Sequence, residues 1–247
     1  MSRTVVVTGG THGIGAAAVQ RFAADGERVI ALGRDREALA ALGAAGIEGV
    51  ACDVTDERAV QDAFGRIGEG VDVLICSAGI GESSPLAKTT LKDWQRHLAV
   101  NATGAFLCMR AVIPGMRARG AGSIVTVAST AGRAGAPYTS AYTASKHAAI
   151  GLTRAVAAEL AGTGVRVNAV CPTFVATEMT DRSIANIVQR TGRTETQARE
   201  ALAAVSPLGR LLAPEEVVDA IVFLASPATA AGISGQALVI DGGGIQA

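Results

Sequence analysis

The stretch Thr4-Val-Val-Val-Thr-Gly-Gly-Thr-His-Gly-Ile-Gly15 joins a short apolar run to an alanine-rich helical pattern. A strand, a glycine-rich turn and a helix in this order are typical of a dinucleotide site. Gly9 suits the tight turn, Gly13 lets the backbone approach a pyrophosphate, and Gly15 lets the helix pack closely. The free N–H groups and the positive dipole end of the helix would then face the anion. The turn predicts cofactor contacts at these three glycines and at Thr11, His12 and Ile14.

Short runs rich in valine, isoleucine and leucine recur along the chain and alternate with longer helical patterns. The predicted strands are residues 4–8, 28–32, 49–52, 71–76, 123–128, 165–171 and 237–240. The predicted helices are residues 14–24, 36–42, 56–67, 91–117, 142–161 and 214–224. Near-continuous apolar strands between helices imply a parallel sheet covered on both faces. We therefore predict an α/β protein with a doubly wound, seven-stranded Rossmann fold.

Composition limits the class of protein. The 247 residues are 49% hydrophobic, which suits a single domain over residues 1–247 with a large core. Twenty-two basic residues balance 22 acidic ones without a basic block, so no nucleic-acid partner is predicted. Charged residues interrupt each long apolar run and the first residues lack a signal-peptide layout, so we expect no membrane partner and a cytoplasmic protein.

The four cysteines lie far apart and in or beside apolar segments, at Cys52, Cys76, Cys108 and Cys171. Their spacing fits no paired metal-ligand motif. We therefore predict buried thiols and no metal site.

One polar region, residues 177–206, interrupts the alternation of strands and helices. It carries no strand pattern, and an insertion of this length with one or two helices predicts a lid over a substrate. The alternative is an ordered surface excursion that only packs.

Arg34 bears on which dinucleotide is bound, because it follows the second predicted strand directly. An NAD site commonly places an acidic side chain there, whereas an arginine accommodates the 2′-phosphate of NADP. Gly33 leaves room beside Arg34, and His12 offers a second contact. Asp35 could instead pair with Arg34 or point at a ribose. We favour NADP(H), with NAD(H) as the alternative.

Tyr142 and Lys146 are four residues apart in a helical pattern, and Ser129 lies thirteen residues before the tyrosine. Residues i and i+4 share a helix face, so the ammonium can lie beside the phenol and favour its anion. A phenol with a pKa of about 10 is otherwise a poor acid–base catalyst at neutral pH. By its spacing alone the pair also fits a solvated tyrosine and lysine.

Taken together, the motifs resemble the short-chain dehydrogenase/reductase family over nearly the whole chain. The resemblance rests on the glycine loop, Asp53, Ser77-Ala-Gly79, Asn101, Ser129, Tyr142, Lys146 and Asn168-Ala-Val-Cys-Pro172. Several stretches are similar to bacterial 3-oxoacyl-carrier-protein reductases and to aromatic polyketide ketoreductases. Cys76-Ser77 departs from the family, which commonly has two asparagines there, so backbone bonds at this turn must be made differently or through water.

The resemblance implies a catalytic role for each of four residues. Tyr142 would give a proton to the nascent alkoxide while a nicotinamide delivers hydride. Ser129 would polarise the carbonyl oxygen. Lys146 would hold the ribose hydroxyls and lower the pKa of Tyr142. Asn101 would support a water relay of protons, the alternative being a kink amide bonded only to backbone.

The resemblance also implies a set of cofactor contacts along the sheet edge. Asp53 would meet the adenine end and Thr177 the nicotinamide carboxamide. The implied set is Gly9, Thr11, His12, Gly13, Ile14, Gly15, Arg34, Asp53, Val54, Ala78, Gly79, Tyr142, Lys146, Pro172, Val175 and Thr177. By contrast, Asn168 and His97 are interpreted as structural residues, and His147 as pointing to another face.

These features predict an NADPH-dependent reduction of a ketone to a secondary alcohol, on a 3-oxoacyl or polyketide-like substrate carried as an acyl thioester. One alternative is an NAD-dependent alcohol or 3-hydroxyacyl dehydrogenase acting in the oxidative direction. Another is a cofactor-binding sensor without turnover. The resemblance implies a homotetramer, with the helices at 91–117 and 142–161 in one interface and the last strand in another.

Overall fold

Seven parallel strands form the central sheet of the computed structural model, which describes residues 2–246. In chain order they are β1 Thr4–Thr8, β2 Arg28–Gly33, β3 Glu48–Ala51, β4 Val73–Cys76, β5 Gly122–Val127, β6 Val165–Pro172 and β7 Ala237–Ile240. In space the order is β3-β2-β1-β4-β5-β6-β7, with parallel pairing throughout. The winding reverses between β1 and β4, which creates the crevice where such sheets bind ligands. The predicted doubly wound fold is confirmed.

Helices cover both faces of this sheet. They are α1 Gly13–Ala24, α2 Arg36–Leu42, α3 Glu57–Ile67, α4 Leu91–Leu98, α5 Gly104–Arg119, α6 Ser140–Glu159, α7 Glu178–Thr191, α8 Glu195–Ala203, α9 Pro214–Ala225 and α10 Pro227–Ala230. Helices α3, α5 and α6 cover one face, and α1, α2 and α9 cover the other.

Side-chain alternation along β1 explains why two separate cores form. Val6 packs with Ile30 and Leu74 on one face, whereas Val5 and Val7 enter the core on the opposite face. Successive side chains of a strand point to opposite faces, so a strand buried on both sides must be apolar at every position.

The predicted continuous helix at 91–117 differs most from the structure. A π turn, Ala99–Thr103, separates α4 from α5, and the helix ends where Gly120 adopts a left-handed φ of 64°. The predicted helix at 142–161 begins earlier, at Ser140, and ends at Glu159. Local periodicity does not report a π turn, because the inserted residue is held by contacts with another part of the chain.

Leu91–Arg119 is long and apolar enough to cross a membrane by length and composition. In this fold one side of the stretch is packed against the sheet, with Leu107, Met109 and Met116 almost fully buried. The stretch therefore has the packing of a core helix.

The polar region predicted at 177–206 contains two helices, α7 and α8. Helix α8 begins with a capping box in which the Thr194 hydroxyl accepts from Gln197 N and the Gln197 side chain accepts from Thr194 N. Most of residues 177–206 is therefore helical, which is compatible both with a lid and with an ordered surface excursion.

Candidate active site

The glycine loop between β1 and α1 has the geometry of an anion cradle. Gly9 and Gly13 adopt left-handed φ values of 66° and 53°, which only glycine takes readily. A side chain at Gly15 would overlap the carbonyl oxygen of Gly9, so the third glycine allows the close packing that the sequence predicts. His12 precedes α1 without a side-chain cap, so the first N–H groups of the helix face the loop. The loop fits a bound pyrophosphate.

The turn after β4 packs directly against this loop. A side chain at Gly9 would lie 2.8 Å from Ala78 Cα. The backbone N–H groups of Ser77 and Ala78 both donate to Thr8 Oγ1, at 3.1 Å each. Thr8 thus binds the backbone of the turn where Cys76-Ser77 departs from the family pattern, and Ala78-Gly79 lies beside the glycine loop.

Arg34 and Asp53 lie together at the ends of β2 and β3. Arg34 Nη1 is 3.8 Å from Asp53 Oδ2, and the Arg34 side chain is 73% exposed. Burial by itself would raise the pKa of Asp53, but hydrogen bonds from Thr55 and the Arg34 charge lower it overall. Asp35 is occupied elsewhere, since its Oδ1 caps α2 by accepting from the N–H groups at positions 37 and 38. Arg34 is paired with Asp53 and not with Asp35, and a ribose contact for Asp35 stays a prediction.

Other predicted contacts at this end differ in exposure. Thr11 Oγ1 lies 2.8 Å from His12 Nδ1, and His12 is exposed beside the loop. Val54 is buried, because it packs where a side chain at Gly104 would lie. Ile14 is partly buried against the core of the α1 face.

The start of α7 closes the other end of the cradle. Pro172 ends β6, Val175 forms a bridge with Leu212, and Thr177 occupies the N-cap position of α7. A side chain at Gly13 would lie 3.2 Å from Thr177 Cγ2. Two predicted cofactor residues that are far apart in sequence, Gly13 and Thr177, are therefore neighbours in space.

Ser129, Tyr142 and Lys146 meet beyond the carboxyl end of β5. Ser129 follows the strand, and the other two residues lie one turn apart at the start of α6. The Ser129 side chain is hydrogen bonded to the Tyr142 side chain. Lys146 Nζ lies 5.7 Å from the centroid of the Tyr142 ring and donates to Val127 O at 2.8 Å. A hydroxyl, a phenol and a buried ammonium thus share one site.

Asn101 lies in the π turn and contacts the loop after β4. Its Nδ2 donates to Ile80 O at 2.9 Å and to Ser145 Oγ at 2.8 Å, and its Oδ1 accepts from Ile80 N at 2.8 Å. A side chain at Gly79 would lie 3.3 Å from Asn101 Oδ1 and 3.6 Å from Lys146 Nζ. The amide binds both backbone and the Ser145 hydroxyl, and it approaches the same space as the ammonium.

Burial shifts the pKa values of both ionisable side chains at this site. Burial raises the pKa of Tyr142, and the hydrogen bond from Ser129 offsets this only in part. Burial also lowers the pKa of Lys146 from 10.5 to about 8. Burial has the larger effect on the phenol, and the nearby ammonium is itself buried and already donates to a carbonyl. The prediction that Lys146, together with a cationic nicotinamide ring, lowers the pKa of Tyr142 stays a prediction.

Two histidines, His97 and His147, have very different surroundings. His97 is 2% exposed, and its ring meets the Tyr142 ring edge to face at 6.4 Å between centroids. His147 is exposed, and its Nδ1 is bonded to Thr143 O in its own helix. Sequence reasoning missed the place of His97 beside the tyrosine, because no motif links residues on two separate helices.

The interpretation of Asn168 as structural agrees with its contacts. This fully buried amide donates to Ile233 O at 2.8 Å and accepts from Gln236 N at 3.0 Å. It therefore ties β6 to the turn that precedes β7.

The cysteines are all free and buried, as expected from their apolar surroundings. Burial raises the pKa of the Cys52 and Cys76 thiols to about 11 and about 12, so both thiols stay protonated near neutral pH. Within residues 2–246, no group of three or more His, Cys, Asp or Glu side chains is arranged to hold a metal ion.

The sequence matches one family model and is similar to several known proteins. A family model described as Enoyl-(Acyl carrier protein) reductase matches residues 9–244. D-threitol dehydrogenase of Mycolicibacterium smegmatis is 39% identical over 254 residues, covering 98% of this chain and 92% of the relative. Short-chain reductase protein NovJ of Streptomyces niveus is 38% identical over 251 residues, covering 96% of this chain and 92% of the relative.

Among solved structures, a variant of actinorhodin polyketide ketoreductase with NADPH superposes with a TM-score of 0.92. Its sequence is 34% identical, and the match covers 98% of this chain and 97% of that one. The similarity therefore extends over the sheet, the glycine loop and the region of α7 and α8.

Proposed function

Because the chain belongs to the short-chain dehydrogenase/reductase family, an oxidoreductase family acting on alcohol and carbonyl groups, we propose that it is an NADPH-dependent ketoreductase. It would reduce a ketone to a secondary alcohol. The observation that carries this proposal is the hydrogen-bonded pair of Ser129 and Tyr142 beside the buried ammonium of Lys146. A protonated phenol next to a hydroxyl donor is what a carbonyl oxygen requires as it becomes an alkoxide.

Each of the four residues contributes one part of the reaction. When bound, the reduced nicotinamide supplies the hydride that the carbonyl carbon accepts. Ser129 donates a hydrogen bond that polarises the carbonyl, and Tyr142 donates its hydroxyl proton to the oxygen. Lys146 holds the ribose hydroxyls and stabilises the resulting phenolate. Asn101 positions the loop and a water through which that proton is replaced.

The pKa shifts of Tyr142 and Lys146 support a tyrosine that carries a proton and donates it, and not one that is already a phenolate when the substrate binds. Because burial raises the pKa of Tyr142, the phenol carries its proton when a ketone binds. The raised value also makes the phenolate a strong base after transfer, so it recovers a proton readily. Lys146, with a pKa lowered to about 8, can release a proton toward the phenolate at mildly basic pH.

Arg34 supports NADP(H) as the preferred cofactor. Its guanidinium is 73% exposed at the end of β2 and only 3.8 Å from one oxygen of Asp53, so a loose pair is replaced easily by a phosphate. Thr11 packs beside Gly33, the residue before Arg34, and is hydrogen bonded to His12. The relative solved with NADPH points in the same direction.

The region 177–206 is proposed to act as a lid over the substrate. Its helix α7 covers the site, since a side chain at Gly81 would lie 3.2 Å from Met179 Sδ and 3.3 Å from Tyr142 Cε2. An actinorhodin polyketide ketoreductase among the similar structures supports a 3-oxoacyl or polyketide-like ketone, delivered as an acyl thioester.

A second candidate is an NAD-dependent alcohol dehydrogenase that works in the oxidative direction. The D-threitol dehydrogenase among the relatives favours this reading. The same residues serve both directions, because the chemistry is reversible and Tyr142 then acts as the base.

We further propose a cytoplasmic homotetramer. Large apolar side chains are exposed on the α4–α5 side, at Leu91, Trp94 and Phe106, and around the edge strand β7, at Phe223 and Leu238. Two such patches on different sides suit two isologous interfaces. Light scattering in solution tests this, and a monomer would contradict it.

The test of the proposed function follows NADPH or NADH absorbance in the presence of a ketone panel. Ethyl acetoacetate represents 3-oxo esters, cyclohexanone represents cyclic ketones, and threitol with NAD⁺ represents the oxidative reaction. We expect reduction of ketones with NADPH that Tyr142→Phe abolishes. Oxidation of threitol with NAD⁺ and no ketone reduction would favour the second candidate. Cofactor binding with no turnover across the panel would contradict both.

A further inference from the structure

His97 lies beside Tyr142, the proposed proton donor, although the two residues are on different helices. Its imidazole is almost completely buried between α4 and α6. The ring lies edge to face with Tyr142, with an interplanar angle of 75°. Such aromatic pairs favour one relative orientation over others. The phenol thus has His97 beside its ring and Ser129 bonded to its hydroxyl.

Both ring nitrogens of His97 have a backbone partner, which fixes the tautomer. Nδ1 donates to Asp93 O at 2.8 Å, one turn back in α4. Nε2 accepts from the N–H of Glu82 at 3.2 Å. An acceptor at Nε2 requires the neutral ring with its proton on Nδ1.

The bond to Glu82 completes a pattern that Asn101 begins. Asn101 binds the N–H and the C=O of Ile80, and His97 binds the N–H of Glu82, two residues further along. Gly81 lies between these two hydrogen-bonded residues, and a side chain there would lie 3.3 Å from Tyr142 Cε2. Two side chains from one helical segment therefore hold alternate residues of the loop that borders the reacting oxygen.

We infer that His97 is a positioning residue for this reaction, which fixes the 80–82 backbone and the orientation of the Tyr142 ring. This inference rests on the proposed role of Tyr142 as proton donor. A phenol that rotates, or a loop that shifts, places the hydroxyl proton away from the carbonyl oxygen, and small displacements of reacting groups lower rates strongly.

The chain supplies a matched control in His147. Its Nδ1 is bonded to the carbonyl one turn back, as in His97, but the side chain is exposed. The variants are His97→Leu, which removes the ring and both hydrogen bonds, His97→Gln, which can keep both bonds without the ring, and His147→Leu. Each is compared with wild type in reduction of ethyl acetoacetate, in NADPH affinity by fluorescence, and in amide hydrogen exchange at Glu82.

We expect His97→Leu to lower kcat about tenfold and His97→Gln about threefold, with NADPH affinity within about twofold of wild type. Exchange at Glu82 should be about tenfold faster in His97→Leu alone.

If His97→Leu no longer binds NADPH, the kcat of His97→Gln is used instead, and a wild-type value in that variant overturns the inference. Wild-type kcat in both His97 variants overturns the inference. Turnover that survives Tyr142→Phe overturns the proposed function instead, which keeps the two failures apart. If wild type does not turn over the ester, wild-type exchange at Glu82 in His97→Leu overturns the inference.

Discussion

Asn186 Nδ2 donates a hydrogen bond of 2.9 Å to the hydroxyl of Ser83, joining α7 to the loop after β4. The next residue, Ser84, donates its backbone N–H to Tyr138 O at 2.7 Å, in the segment that precedes α6. Two consecutive serines therefore connect α7 to that segment. The three segments around the proposed substrate site are held as one enclosure, although they come from distant parts of the chain.

The hydrogen bond between Asn186 in α7, the proposed lid helix, and Ser83 in the loop after β4 predicts a coupled effect of the two residues on substrate binding. Asn186→Ala and Ser83→Ala should each raise KM for the ketone, and a double-mutant cycle should give a coupling of about 1 kcal/mol, or roughly fivefold. Ser183→Ala is the control, because that hydroxyl is bonded to Met179 O within α7. Purely additive effects would show that the bond does not close the lid.

Removing the phenolic hydroxyl should abolish proton donation without disturbing the fold. Tyr142→Phe is expected to lower kcat by about 10³-fold, within the range of general acid catalysis. Affinity for NADPH should change by less than about threefold, since its phosphates are bound elsewhere. Tyr138→Phe, in an exposed position outside the pair, serves as the control. Full turnover in Tyr142→Phe would remove the tyrosine from the mechanism.

The ionisation of Tyr142 can be measured directly, because the chain has only two tyrosines. In Tyr138→Phe the remaining phenol reports its own titration by ultraviolet difference absorbance. Burial raises the pKa of Tyr142, so the phenolate should form at higher pH than in N-acetyltyrosinamide. Saturation with NADP⁺ should move the titration to lower pH, because the cationic ring adds positive charge nearby. An unshifted titration without cofactor would contradict the effect of burial.

Lys146 predicts a stability that rises with pH over a defined window. Its pKa falls from 10.5 in the unfolded chain to about 8 on folding, so between these values only the unfolded chain retains the proton. The free energy of unfolding should then rise with pH by up to about 1.4 kcal/mol per unit. Below about pH 8 both states are charged, and this contribution does not vary.

Urea unfolding of wild type and Lys146→Met over this window tests the sign. The difference between the two proteins isolates the lysine, since the Cys52 and Cys76 thiols, with raised pKa values, act in the opposite direction above their ordinary pKa of 9.0. A difference that is flat across the window would show that Lys146 keeps its proton when folded.

Arg34→Ala should change cofactor preference more than overall activity. A charged hydrogen bond to phosphate contributes about 1.5–3 kcal/mol, so KM for NADPH should rise about 10- to 100-fold while KM for NADH changes little. Arg66→Ala, an exposed arginine near the end of α3, is the control. Equal effects on both cofactors would exclude a specific contact with the 2′-phosphate.

The sequence by itself determined the architecture and the glycine loop, because both are local properties. Apolar runs of strand length between amphipathic helices have one economical arrangement, and left-handed turns such as Gly9 favour glycine wherever they occur. The family resemblance carried by all the motifs together also implied the proposed catalytic pair, Tyr142 and Lys146. The architecture and the glycine loop needed only neighbours on the chain.

Only the tertiary structure decided what surrounds those residues. The contact of His97 with Tyr142, the capping role of Asp35 and the bond from Asn186 to Ser83 depend on how segments pack, and two of these join residues far apart in sequence. The pKa of Tyr142 shows the reason most clearly. A motif records which charges are near along a helix, but desolvation depends on everything that excludes water, and that is a property of the folded chain.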